Sequence, residues 1–232
     1  NDAEAEHVMY ALDDIGIETV KCKQLEGENG CARATLVDGD RVFLGSNEGG
    51  IRGKTPYVLD RFDLEYIRQF DFVHSGNYCF MEKELPKIHE VGVPISFDFS
   101  DDSEDSYYAE VAPTVDYAFC SFDGTDEEAR EHLKKIVSYG PKLAVASRGA
   151  DGCILYDGQE YYVQKAVPIK EVVDTMGAGD SLITSFMVAY TDHLKKGITG
   201  ETAIRESLAA AAEFASKVCG MNGAFGYGKK YE

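Results

Sequence analysis

Two spacings of apolar residues alternate along the chain. Short runs rich in β-branched and aromatic residues predict strands at 71–77, 93–100, 115–121 and 143–147, with the first and last of these read as buried. Apolar residues at helical intervals predict helices over 2–15, within 56–69, and over 83–90, 127–139, 181–194 and 202–219. Residues 17–21 read as extended. Two segments read as hairpins: 31–44 bends at Asp38-Gly39-Asp40, and 153–163 bends at Asp157-Gly158-Gln159. Strands alternating with helices argue a mostly parallel sheet with helices on both faces. The length of 232 residues suits one α/β domain over 1–232, and no internal repeat is visible.

The helix over 181–194 opens on the most informative stretch. Val172 and Val173 form a short strand-like run, and Asp174-Thr175-Met176-Gly177-Ala178-Gly179-Asp180 interrupts it. Leu182, Ile183, Phe186, Met187 and Tyr190 then recur on one helical face. Gly177 and Gly179 permit a tight turn and the close approach of a ligand. The first-turn amides of a helix lack intrahelical acceptors and carry the positive end of its dipole, which favours an anion. Asp180 adds a carboxylate at the same place. A proton acceptor beside donors for developing negative charge is what phosphoryl transfer to a hydroxyl requires. An ordinary helix cap uses the same residue types, and spacing alone does not separate the two.

Other candidates lie at predicted strand ends, where α/β sheets place ligands. Gly76 and Asn77 follow the 71–77 run, while His74 within it reads as a core histidine with a satisfied ring. Asp98 is followed by Asp101 and Asp102, a site for a positive group or a solvated loop. Ser147-Arg148-Gly149-Ala150-Asp151-Gly152 follows the 143–147 run, and Arg148 reads equally as a phosphate contact or a surface residue. Asn47 and Glu48 lie in a polar loop after the first hairpin. Residues 220–228 are glycine-rich, a closing segment or a tail.

Charge narrows the partners. Asp and Glu number 41 against 23 Lys and Arg, a net charge of −18, which argues against nucleic-acid binding. No apolar run approaches a membrane span, and no signal-peptide pattern opens the chain. The six cysteines form no CxxC pair, so free thiols in a reducing cytoplasm are expected rather than disulfides or zinc.

The seven residues from Asp174 to Asp180 resemble the DTxGAGD signature of the ribokinase-type (PfkB) carbohydrate kinases. The resemblance implies a ribokinase-like three-layer α/β/α fold with a small β lid, here about residues 20–54. It implies that Asp180 is the catalytic base and that Gly177, Ala178 and Gly179 form the anion hole. It also implies an ATP site drawn from Ser147, Arg148, Gly149, Gly152 and Thr175, closed by Gly220 and Gly223 of the 220–228 segment. Substrate contacts are implied for Arg33, Asn47, Glu48, Gly76, Asn77, Asp98 and Asp180. Mg2+ accompanies ATP in this chemistry, and the glycine-rich segment of relatives can contribute to a monovalent-cation (K+) site. The lid of relatives often pairs with a second subunit, which implies a homodimer. The opening residues resemble a family segment located after the first strands, so about the first fifth of a typical member is expected to be absent.

Two departures bear on the site. The family's Asn-x-x-Glu pattern is replaced by Ser121-Phe122-Asp123-Gly124, so the metal ligands are not identified. Relatives often carry a basic residue after the position of Asp98, where this chain is acidic. Segments such as Asp40-Arg41-Val42-Phe43 and Phe97-Asp98-Phe99-Ser100-Asp101 resemble the fructoselysine 6-kinase branch. That branch implies phosphorylation of the 6-hydroxyl of a sugar–amine adduct. The alternatives are a kinase for a plain sugar (fructose, ribose or 2-keto-3-deoxygluconate), a nucleoside kinase, or a catalytically silent sensor.

Overall fold

The protein is described by a computed structural model covering residues 2–37, 40–101 and 104–228. Helix α1 (Ala3–Asp14) starts where Asp2 accepts a hydrogen bond from the Ala5 amide at 2.8 Å. Residues 17–21, expected to be extended, form no strand. Side chains hold this segment instead: Lys21 Nζ meets Asp63 at 2.9 Å, and Lys23 Nζ donates to Val58 O at 3.3 Å.

A two-stranded antiparallel sheet follows, β1 (Ala32–Val37) and β2 (Asp40–Ser46), with an irregular register between Arg33 and Ala34. This is the expected hairpin, although its Asp38-Gly39 turn lies outside the described residues. Short helices α2 (Gly50–Lys54) and α3 (Arg61–Ile67) lead to the main sheet.

That sheet has six strands in sequential order: β3 (Val73–Gly76), β4 (Ile95–Asp98), β5 (Tyr117–Ser121), β6 (Leu143–Ser147), β7 (Cys153–Tyr156) and β8 (Tyr161–Gln164). Strands β3 to β6 are parallel, and β7 and β8 extend the sheet as an antiparallel hairpin. The crossovers carry α4 (Leu85–Val91), α5 (Asp105–Val111) and α6 (Asp126–Ser138). Thr125 starts α6 through a reciprocal cap with Glu128. Helices α7 (Ala178–Lys195) and α8 (Gly200–Val218) close the chain.

The period-2 alternation of the strands sorts the core into two halves. Ala118 and Cys120 of β5, with Ala144 and Ala146 of β6, pack beneath Ile88, Tyr108, Leu133 and Ile136. Their neighbours Tyr117, Phe119, Leu143 and Val145 pack on the other face against Leu182, Phe186, Met187 and Leu208. Helices therefore cover both faces, giving the expected three layers.

Three local expectations need correction. Among the described residues β3 borders the sheet, and only Ser75 of its four residues is buried there, where a buried strand is expected. His74 accordingly lies at an exposed edge rather than in the core, with Nδ1 3.0 Å from the buried Ser96 hydroxyl. Val172 and Val173 are exposed and form no strand; the Val173 and Asp174 amides both donate to Cys219 O.

Candidate active site

The site is assembled at the carboxyl ends of the parallel strands, beneath the start of α7. Asp98 ends β4, Ser121 ends β5 and Ser147 ends β6. With Gly179 and Leu182 of α7 they line a small cavity whose walls include Phe119.

Backbone conformation fixes the entry to α7. Gly177 is left-handed, with φ +76°, and a Cβ there would lie 2.8 Å from Ala224. A non-glycine residue would face both backbone strain and a clash. The helix therefore begins at Ala178, three residues earlier than its apolar periodicity suggests. The Ser181 amide is bonded to Gly177 O at 2.9 Å, while those of Gly179 and Asp180 belong to the first turn. A Cβ at Gly179 would touch nothing within 4 Å, so its Cα faces open space. Asp180 is exposed beside it.

Asp174, the first residue of the same motif, is a lock. Its Oδ1 accepts from Met176 N at 2.9 Å and its Oδ2 from Gly223 N at 3.0 Å. The motif and the 220–228 segment are thereby tied together. This role was not read from the sequence, because it depends on a partner remote in the chain.

Carboxylates dominate the β4 end. Burial pushes the Asp98 carboxyl up to about 6, the Asp180 and Asp101 charges add to the rise, and a 2.8 Å hydrogen bond from Ser100 N opposes it. Gly76 abuts this residue: a Cβ there would lie 3.1 Å from Asp98 O. Asn77 Nδ2 donates to Phe99 O at 3.2 Å. Although His74 is exposed by its surface area, the protein packed around its ring at the sheet edge desolvates it and lowers its pKa, and the Asp180 charge opposes that fall. Asp101 accepts from the Ser100 hydroxyl at 3.3 Å, whereas Asp102 lies outside the described residues.

The β6 end is different. The Ser147 and Ser121 hydroxyls lie 3.3 Å apart. Arg148 Nη1 pairs with Asp126 and Nη2 donates to Gly124 O at 2.7 Å. Gly152, at φ +90°, is packed so that a Cβ would lie 2.0 Å from Gln164 O. Gly149 borders open space and Thr175 is exposed, while the 220–228 segment presents Gly220 and Gly223. The pairing of Asp126 with Arg148 is not announced by any local spacing in the sequence.

The lid candidates stand apart from the cavity lining. Both ends of the Asn47 amide are engaged at the lid base, Oδ1 accepting from Cys31 N and Nδ2 donating to Asn29 O, each at 2.8 Å. Glu48 is exposed and left-handed at φ +54°, and Arg33 is exposed at the strand irregularity.

Amide N–H groups, hydroxyls, a guanidinium and open space at Gly179 together form a donor set that fits the phosphates of a nucleotide. Among the described residues, no three His, Cys, Asp or Glu side chains converge as a metal site. The thiols are unpaired, and burial pushes Cys120 and Cys153 up to about 12, which keeps both inert. Among the described residues, no helix is long and apolar enough to cross a membrane.

Comparison with known proteins agrees with this geometry. The pfkB family carbohydrate kinase model matches residues 1–225. The chain is 39% identical to fructosamine kinase FrlD of Bacillus subtilis (strain 168), over all of this chain and 78% of that protein. It is 31% identical to fructoselysine 6-kinase of Escherichia coli (strain K12), over 86% of this chain and 73% of that protein. Among solved structures, ribokinase of Arabidopsis thaliana complexed with ribose and ATP aligns with a TM-score of 0.76 at 23% identity, covering 98% of this chain and 75% of that one. Ribokinase from Giardia lamblia aligns with a TM-score of 0.79 at 16% identity, covering 98% and 76%, so the ribokinase-like fold is shared at low sequence identity. The resemblance first read from residues 174–180 is borne out: the chain belongs to the pfkB family of carbohydrate kinases.

Proposed function

We propose that this ATP-dependent sugar kinase phosphorylates the 6-hydroxyl of a sugar–amine adduct of the fructosamine class. The carrying observation is the Asp180 carboxylate at the open first turn of α7, across the strand ends from Asp98. Asp180 accepts the proton of the sugar hydroxyl as that oxygen attacks. The Gly179 and Asp180 amides hold the charge of the moving group. Ser147 and Arg148 serve the nucleotide phosphates. MgATP, when bound, supplies the γ-phosphoryl group and its charge neutralisation.

The amine preference is supported by the names of the two curated relatives and by the acidic β4 end. A cationic amine gives Asp98 a counter-charge that a plain sugar lacks. A lid-mediated homodimer, a monovalent cation at the 220–228 segment and a cytoplasmic location belong to the same proposal, supported by the family resemblance. The test is ADP release with MgATP across fructoselysine, related adducts, fructose, ribose and 2-keto-3-deoxygluconate. Selective turnover of an adduct is expected. Equal or better turnover of fructose refutes the amine reading and leaves the kinase reading intact.

A further inference from the structure

Three non-glycine residues among those described have left-handed backbones: Glu48 and Phe80 at φ +54°, and Ser100 at φ +55°. They lie at the lid base, shortly after Asn77 and shortly after Asp98. Phe80 is the bulkiest of them, and a bulky side chain is poorly suited to this conformation. Such a backbone persists only where surrounding contacts fix it, and it gathers at functional sites. The contacts around Phe80 come from the segment that follows the lid. Its ring is seated on Gly49, where a Cβ would lie 2.3 Å from Phe80 Cε2. Arg52 grips its backbone: Nη2 donates to Phe80 O at 2.9 Å, while Nη1 donates to Thr55 O at 2.8 Å. The guanidinium is steadied in turn over the Tyr57 ring, 5.2 Å from its centroid. Phe80 is still 38% exposed, so it is not a core residue whose burial explains its placement.

Both segments that Phe80 joins carry sugar candidates. On one side, β2 ends at Ser46, and the chain runs through Asn47 and Glu48 into Gly49 and α2. That turn is tight: Gly50 N donates to Asn47 O at 3.0 Å, and a Cβ at Gly53 would lie 2.0 Å from Glu48 O. On the other side, β3 ends at Gly76, and Asn77–Cys79 form a single 3-10 turn that leads to Phe80. Asn77 is tied to Phe99 O, next to Asp98. Ser147 and Gly179 belong to β6 and α7, outside both segments.

We propose that Phe80 is a positioning residue for the sugar: its ring on Gly49 and its carbonyl in the grip of Arg52 latch the loop after β3 to the lid base, and so set the spacing of Asn77 and Glu48 across the sugar. The latch acts through other residues and does not itself touch the reacting atoms. Releasing either hold lets the strained backbone relax, which shifts Asn77 relative to Glu48. The proposal rests on the sugar-kinase reading but not on the amine preference.

The test is steady-state turnover with MgATP, using fructoselysine and fructose as acceptors, for the wild-type protein and the variants Phe80→Ala, Phe80→Leu, Arg52→Met and Phe80→Ala with Arg52→Met. ADP binding by calorimetry accompanies each. Phe80→Ala lowers kcat/KM for the better acceptor by about tenfold or more, because a displacement of about 1 Å in a substrate-positioning group costs up to about a hundredfold. KM for ATP and the affinity for ADP stay within about twofold of wild type. Phe80→Leu recovers part of the loss, since it keeps some of the contact with Gly49. Arg52→Met lowers kcat/KM for the sugar by roughly three- to tenfold, and the double variant loses less than the product of the two, because either change opens the same latch. Should Phe80→Ala fail to fold, Phe80→Leu and Arg52→Met carry the same comparison. Unchanged kcat/KM for the sugar overturns the proposal. So does an equal loss for sugar and nucleotide, which marks a general structural effect. Losses that multiply in the double variant remove the shared latch. A wild-type protein that phosphorylates neither acceptor and binds no ADP overturns the kinase reading and the latch with it, a result distinct from wild-type turnover that Phe80 does not influence.

Discussion

Replacing Asp98 by Asn isolates what the acidic strand end does to stability. The carboxyl titrates at about 6 in the folded protein against an ordinary 3.8, with burial as the leading cause. At about 1.4 kcal/mol per pH unit, that difference sets roughly 3 kcal/mol against folding with Asp98 ionised. The sign is set by proton binding. Between 3.8 and about 6 the folded state holds more protons than the unfolded one, so the stability from protonated Asp98 is complete below 3.8. It is lost as pH rises through about 6. Asn retains the Oδ1 acceptor for the Ser100 amide, a 2.8 Å bond, but carries no charge. Urea unfolding of wild type and Asp98→Asn from pH 4 to 8 should therefore show curves that nearly coincide at the acid end. They should diverge by up to about 3 kcal/mol at pH 7.5, with the variant more stable. At this size each kcal/mol corresponds to about 2–4 °C in Tm. The same variant should bind a cationic adduct more weakly. A stability difference that stays flat across this pH range would refute the reasoning.

Asp180→Asn should lower kcat by roughly 10²- to 10⁴-fold, the usual share of a general base, with Tm nearly unchanged because the side chain is exposed; near-normal turnover would remove the base role. Gly177→Ala should destabilise by at least about 1–3 kcal/mol through its φ of +76° and its 2.8 Å approach to Ala224, measured by chemical denaturation. Asp174→Ala should free the Met176 and Gly223 amides, destabilise by about 1–3 kcal/mol and expose residues 220–228 to proteolysis; an unchanged cleavage pattern would contradict the lock.

The layers were legible because their causes are local. Alternation in β5 and β6 sorts residues to two faces within a few positions, and the glycines before Asp180 announce a strand-end anion site. The errors arose where a distant partner decides. Val172 and Val173 have strand propensity, yet Cys219 takes the backbone bonds of this segment through a carbonyl from the end of α8. The first turn of α7 has little apolar periodicity and is set by Gly177 packed on Ala224. His74 lies in a run that reads as buried, but its strand borders the sheet among the described residues. Asp126 meets Arg148 only because α6 begins beside the loop after β6.

The charge layout also restricts how two ligands enter one cleft. Asp98 and Asp180 act on each other at one end, while Arg148 lies two strands away with a screened partner. A polyanion bound against Asp98 would raise its pKa further and oppose ionisation, whereas an ammonium group there would lower it. Phosphates near Arg148 gain a nearly buried guanidinium, while an amine at that end would meet like charge. The favourable arrangement sends the nucleotide to the β6 end and the amine-bearing sugar to the β4 end, with Asp180 between them at the start of α7. Reversing the two would put each ligand against its own sign of charge, so on the proposed reading the electrostatics that favour a cationic sugar also give phosphoryl transfer its direction across the sheet.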